Sequence, residues 1–235
     1  MKYSFEGRIR YSEIGENRRL TMPALVNYFQ DCSTFQSQEL KIGVDWLRER
    51  NSAWVLAAWQ IHVKRYPAMG ETVKTSTWSY GFKGFQGFRN FTMEDEQGEV
   101  IACANSVWVY MNLEDGRPRH LDLQEVQSYG ITEAYPEDFG KRKITLPDMP
   151  GEAFESFRVM EYHLDTNHHV NNGQYLQMAQ GYLPVDMEIK KLRAEYKIQA
   201  HLGDMLFPKR WKLEDGYLIT LEDEDGKPYV IVEVK

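Results

Sequence analysis

The chain is short of cysteine, of long apolar runs and of excess positive charge, and each shortage removes a class of protein. Only Cys32 and Cys103 occur among 235 residues. Two thiols cannot build the disulfide framework of a small secreted domain, and they fit a reducing compartment. No stretch is apolar for long enough to span a bilayer, and the first ten residues lack the apolar centre of a signal peptide. A cytoplasmic protein without a membrane span is therefore expected. Lys plus Arg number 28 against 35 Asp plus Glu, a net charge of −7, which argues against a general nucleic-acid binder. A GxSxG pattern is also missing, so no serine stands out as a nucleophile. Cys32 falls on an apolar helical stripe and Cys103 in a strand, where core packing is the expected role.

What is present is ordinary globular composition, 42% hydrophobic and 27% charged. The length suits one large domain or two small ones, and either can bury a core. Tyr3 to Tyr11 alternates loosely and predicts a strand. Thr21 and Pro23 mark a helix start, and Met22, Leu25, Val26, Phe29 and Cys32 recur at helical spacing toward Arg50, with a break at Gly43. Strands are expected over 54–64, 72–80, 88–94 and 100–111, with turns at 67–70 and 96–98. One strand, a long helix and a run of strands make an α+β pattern. The proline-bearing stretch that follows reads as a connector. Then the layout returns, with a strand over 157–164, a helix over 172–183 and three or four strands up to Val234.

The return is visible as a repeat. Shifted by 150, Arg8, Ile9, Ile14, Asn17 and Leu20 land on Arg158, Val159, Leu164, Asn167 and Val170. Shifted by 133, Lys64, Gly70, Glu71 and Trp78 land on Lys197, Gly203, Asp204 and Trp211. Shifted by 128, FTMEDEQG (Phe91–Gly98) lands on ITLEDEDG (Ile219–Gly226). The falling offset predicts a shorter helix region in the second copy. The division expected is 1–115 for the first copy, 116–152 for the connector and 153–235 for the second copy.

The stretch LDTNHHVNNGQY, Leu164 to Tyr175, carries the chemistry. Asp165, Asn167 and His169 stand at alternate positions, so an extended backbone would point all three to one side. A neutral imidazole, with an ordinary pKa of about 6.5, suits a general base near neutrality. Asn171 and Asn172 are good helix N-caps. The amides of Asn171, Asn172 and Gly173 could then meet a carbonyl oxygen that gains negative charge. The first copy has Gly15, Asn17 and Arg19 at the three places, without the acid or the histidine. The competing role for this stretch is a capping loop whose polar groups satisfy the backbone. His163, Asp165, His168 and His169 match no standard zinc spacing, so no metal is expected. Phe82, Phe85, Phe88 and Phe91 could line an apolar tunnel or pack their own hairpin. Basic pairs and runs at Arg117 and Arg119, Lys141–Lys143, Lys190–Arg193, and Lys209 and Arg210 could meet an acidic partner, although each alone is more often a solvated face.

The residues resemble a family, the fatty acyl-ACP thioesterases of plants and bacteria, and a bacterial member is the expectation. YSEIGENR (Tyr11–Arg18), LVNYFQD (Leu25–Asp31), Thr77–Trp78 and ANSVWVYMN (Ala104–Asn112) are similar to its first half. Asp165 to Tyr175 resembles its pattern D-x-N-x-H-V-N-N-x-x-Y. The resemblance implies a tandem hotdog, an antiparallel sheet wrapped around a long helix in each copy, with the acyl chain bound by a non-catalytic first copy. It implies hydrolysis of fatty acyl-ACP to free fatty acid and ACP in fatty acid biosynthesis, by water attack at Asp165, Asn167 and His169. It implies acyl carrier protein as the partner, with the substrate on its phosphopantetheine arm and no other cofactor. A fourth family residue, a glutamate after the second helix, falls at Gln199, and a cysteine that follows it in plants falls at Ala200. Gln199 can orient a water or hold His169 but cannot act as a base. The alternatives kept open are an acyl-CoA thioesterase on the same fold and a non-catalytic acyl-binding module. A monomer or a homodimer would fit either.

Overall fold

The computed structural model describes residues 1–235, apart from the side chains of residues 123–125. The chain forms two compact units, one of Met1–Ala57 with Ile61–Phe139, the other of Ala58–Gln60 with Gly140–Lys235. The stretch 116–152 holds a short helix and divides between the units after Phe139.

The first unit contains β1 (Tyr3–Arg8), α1 (Met22–Glu39), α2 (Val44–Glu49), β2 (Ser52–Val63), β3 (Thr72–Lys83), β4 (Gln86–Glu94), β5 (Val100–Asn112) and α3 (Leu123–Tyr129). Its strands lie in the order β1-β3-β4-β5-β2, with antiparallel pairing of β1 to β3, β3 to β4 and β4 to β5. Thr21 caps α1 by accepting from the Ala24 amide at 3.3 Å, which satisfies one of the unpaired donors of the first turn. Leu25, Val26, Phe29 and Cys32 are buried along one face of α1, and the Phe29 ring lies 5.3 Å from that of Phe91 on β4. Gly43 is the N-cap of α2, so the long helix does break there. The four phenylalanines do not share a wall: Phe91 is in the core and Phe85 is exposed.

The second unit contains β6 (Glu152–Ala153), β7 (Phe157–Arg158), α4 (Asn172–Gln180), β8 (Lys191–Tyr196), β9 (Met205–Leu213), β10 (Gly216–Glu222) and β11 (Pro228–Val234). Its strand order is β8-β11-β10-β9, with β6 and β7 both paired to β9. With β7, β9, β10, β11 and β8 set against β1, β3, β4, β5 and β2, the two copies have one topology. The helix is shorter in the second copy, 9 residues in α4 against 18 in α1. Tyr175, Leu176 and Ala179 are the buried face of α4. Each unit is an antiparallel sheet packed on a helix, and the pair is a tandem hotdog.

The duplication reaches single hydrogen bonds. Ile14 bridges Leu20 as Leu164 bridges Val170. The Gly15 amide donates to Arg19 O at 3.0 Å, and the Asp165 amide to His169 O at 2.8 Å. The Leu20 amide donates to Pro67 O at 2.9 Å, and the Val170 amide to Ala200 O at 3.0 Å. Gly70 and Gly203 hold the matching turns at φ +88° and +91°, a conformation that favours glycine.

Two expectations are corrected. The strand over 157–164 covers only Phe157–Arg158, because a 3₁₀ turn over Glu161–His163 follows. That turn is locked by the buried His163, whose Nδ1 accepts the Met160 amide at 3.0 Å. The second helix stops at Gln180, short of 183, and ends on Gly181.

Candidate active site

The stretch from Leu164 to Val170 is a closed turn, not the extended run that the alternate spacing assumed. The Asp165–His169 backbone bond and the Leu164–Val170 bridge bring its ends together. His168 sits at φ +60° to complete it, a region that few non-glycine residues adopt. Asp165 Oδ1 accepts two amides of the turn, from Asn167 at 2.7 Å and from His169 at 3.3 Å. The carboxylate thus acts as an Asx cap of its own loop. Asp165 and His169 meet across the turn because the turn folds back on itself.

Among the described residues no side-chain bond joins Asn167 to them. It is exposed, and only its amide bonds to Asp165. The first copy explains this. There Asn17 Oδ1 accepts the Arg19 amide at 3.0 Å and caps the equivalent turn. Asp165 has taken over that task in the second copy, which releases the Asn167 carboxamide.

His169 is half-buried. Burial holds its pKa below the ordinary 6.5, with help from His201 and His168, while Asp165 pulls the other way. His201 is the functional candidate that the sequence did not single out. Its ring lies edge to face with that of His169, centroids 4.8 Å apart and planes at 66°. The repeat held a signal for it: the shift of 133 sets His201 on Ala68, a new imidazole in the second copy, as His169 is against Arg19. Tyr175 on α4 braces this corner, its hydroxyl accepting the Ala200 amide at 2.9 Å.

Gln199 lies beyond the end of β8 and is exposed. Among the described residues no hydrogen bond joins it to His169, so the role of holding that ring is corrected. The oxyanion set is corrected in part as well. The Asn171 amide donates to His163 O at 2.9 Å, and the Gly173 amide to Asn171 Oδ1 at 2.8 Å. The first donor is spent on the 3₁₀ turn before the helix and the second on the capping of α4, and the Asn172 carbonyl accepts from the Tyr196 hydroxyl at 3.0 Å.

Other groups fall away from the chemistry. Cys32 and Cys103 are buried free thiols, each pushed by that burial up to about 12, far from nucleophilic at neutral pH. Among the described residues no cluster of three or more His, Cys, Asp or Glu could hold a metal. Several basic groups are paired within the chain: Arg193 with Glu233, Lys209 with Glu222, Arg210 with Glu152 and Lys190 with Glu188.

Residues 1–129 match the family model of the acyl-ACP thioesterase N-terminal domain, and residues 149–225 match that of the C-terminal domain. The chain belongs to the acyl-ACP thioesterase family. It is 27% identical over 215 residues to a chloroplastic acyl-[acyl-carrier-protein] hydrolase of Cuphea viscosissima, covering 84% of this chain and 52% of the relative. It is 24% identical over 226 residues to the chloroplastic oleoyl-acyl carrier protein thioesterase 1 of Arabidopsis thaliana, covering 88% of this chain and 62% of that one. This acyl-ACP thioesterase family member thus spans between half and two thirds of the length of these curated relatives. Two solved structures share its fold. An acyl-ACP thioesterase from Bacteroides thetaiotaomicron superposes with a TM-score of 0.89 at 23% identity, over 99% of this chain and 96% of that one. The 12:0-ACP thioesterase from Umbellularia californica gives 0.88 at 20% identity, over 100% and 96%. Among the described residues no helix is long and apolar enough to cross a membrane.

Proposed function

We propose that this chain hydrolyses fatty acyl-ACP to free fatty acid and the carrier protein, with His169 as general base. One observation carries it: a half-buried imidazole, biased toward its neutral form, faces an acid across a turn that the first copy builds with neither group. A water beside His169 attacks the thioester carbonyl. A C–O bond forms and the C–S bond breaks. The proton passes from the water to His169 and then to the departing thiolate, a leaving group that needs no strong acid. Asp165 closes the turn through Oδ1 and sets its charge beside the imidazolium that forms. The exposed Asn167 carboxamide, which takes no part in capping this turn, would polarise the carbonyl once substrate is bound.

The acyl chain would arrive on the phosphopantetheine arm of the carrier, with no further cofactor, and the first unit would serve acyl binding. Lys141, Arg142 and Lys143 are exposed and unpaired among the described residues, which suits an acidic partner surface. The two free cysteines fit a cytoplasmic setting.

Acyl-ACP turnover by the His169→Ala variant tests the assignment. Loss of a positioned base should slow hydrolysis by about 10² to 10⁴. Turnover near that of the wild type would reject His169 as the base.

A further inference from the structure

The base assignment leaves open what holds the His169 ring, and the geometry around His201 answers it. The turn that carries His201 is pinned on three sides. The Ala200 amide donates to Tyr175 Oη at 2.9 Å, the Val170 amide to Ala200 O at 3.0 Å, and the His201 amide to Asp204 Oδ2 at 2.8 Å. The Val170–Ala200 bond ties the two loops together one residue away from each imidazole. The rings have little choice but to meet, and they do so edge to face at 4.8 Å.

The first copy shows that the turn does not need this histidine. There the Leu20 amide donates to Pro67 O at 2.9 Å, the Ala68 amide to Glu71 Oε1 at 2.8 Å, and Arg19 bridges Ala68. Alanine satisfies the same backbone. The imidazoles at 169 and 201 therefore occur together, and only in the copy that carries Asp165.

We propose that His201 is a positioning residue for His169: its ring packs edge to face on the His169 ring, fixes the plane of that ring and holds it in the orientation that a base requires. This rests on His169 being the base. The groups that face His169 are Asp165 and His168 from its own turn and His201 from the turn after β8. Asp165 favours the charged ring, and the two histidines and burial oppose it. Behind His201, Asp204 Oδ2 is shared with the Tyr229 hydroxyl of β11 at 3.4 Å, which holds that carboxylate on its own turn.

The test combines His201→Ala and His201→Phe. The first removes both ring and charge, at a site where the first copy shows that alanine folds. The second keeps a ring and removes the charge. The His169 imidazole is titrated by NMR, and kcat/KM on acyl-ACP is followed against pH. In His201→Ala the titration of His169 should move to higher pH, and the acid limb of the rate profile should move with it. The rate on the alkaline plateau should fall by about tenfold at most, against about 10² to 10⁴ for loss of the base itself. His201→Phe should restore the plateau while its acid limb stays displaced upward. An unmoved His169 titration in His201→Ala would overturn the role, and so would a plateau loss as large as that of His169→Ala. The NMR readout does not depend on turnover. An active His169→Ala enzyme would reject the base assignment, and the titration would still decide on His201.

Discussion

Asp165 has a structural task, the proposed mechanism gives it a chemical one as well, and two substitutions separate the two. Asn keeps an oxygen for the two amides at 2.7 and 3.3 Å, and Asn17 Oδ1 in the first copy shows a carboxamide capping one such amide, but Asn lacks the charge. Asp165→Asn should therefore melt within a degree or two of the wild type yet hydrolyse acyl-ACP more slowly. Asp165→Ala strands both amides and should cost about 0.5 to 2 kcal/mol of stability, as loss of a capping side chain does. Equal melting temperatures for all three proteins would contradict the capping role. The histidines give a pH signature. His163 and His169 both titrate below the ordinary 6.5 in the folded chain, chiefly through burial. Between those lowered values and 6.5 the unfolded chain binds more protons, so acid favours unfolding. Their contribution to stability is full above about pH 6.5 and is lost as pH falls below it. Chemical denaturation at stepped pH should show it, and removal of His163 should flatten the slope. The acid limb of kcat/KM should likewise lie below pH 6.5. The closeness of Asp165 and His169 was expected from alternation in an extended strand, but a closed turn is what joins them. A non-glycine residue at positive φ, here His168, leaves no mark in sequence that separates a tight turn from a strand. His201 stands alone in a loop and enters the site only through tertiary bonds.

At the level of elements, periodicity told more. The stripe of α1, its break at Gly43 and the strands β2 to β5 followed from spacing and turn residues, and the three or four strands expected after the second helix are the four of β8 to β11. The failures came where side chains override local pattern. His163 captures the Met160 amide and turns the predicted strand into a 3₁₀ turn. Asn171 spends the Gly173 amide on capping, which no pattern of N-cap residues could distinguish from an open anion site. One element test concerns Gly216, where β10 begins beside the end of β11. A Cβ there would lie 1.9 Å from the Val234 carbonyl oxygen. Backbone cannot yield as a flexible side chain does, so Gly216→Ala should lower stability by about 1 to 3 kcal/mol. A urea midpoint equal to that of the wild type would show that the two strands do not approach so closely.

For the whole molecule, duplication is the organising fact. Three shifts in the sequence anticipated one strand order repeated twice, down to matched turn bonds such as Leu20 to Pro67 and Val170 to Ala200. The same comparison isolates what is not repeated: Asp165, His169 and His201 against Gly15, Arg19 and Ala68. A scaffold that folds with either set has the second set for another purpose. Recognition of the carrier should involve protein surface beyond the pantetheine arm, so kcat/KM should favour acyl-ACP over the acyl-CoA of the same chain. A strong preference for CoA would reject ACP as the carrier. The most direct measurement is the amount of free fatty acid released when a small quantity of this protein is incubated with excess acyl-ACP, with products resolved by gas chromatography. Many molecules of acid per molecule of protein are predicted, with release nearly abolished in His169→Ala. Release that stops at one equivalent or fewer would mean that the chain binds acyl groups without hydrolysing them.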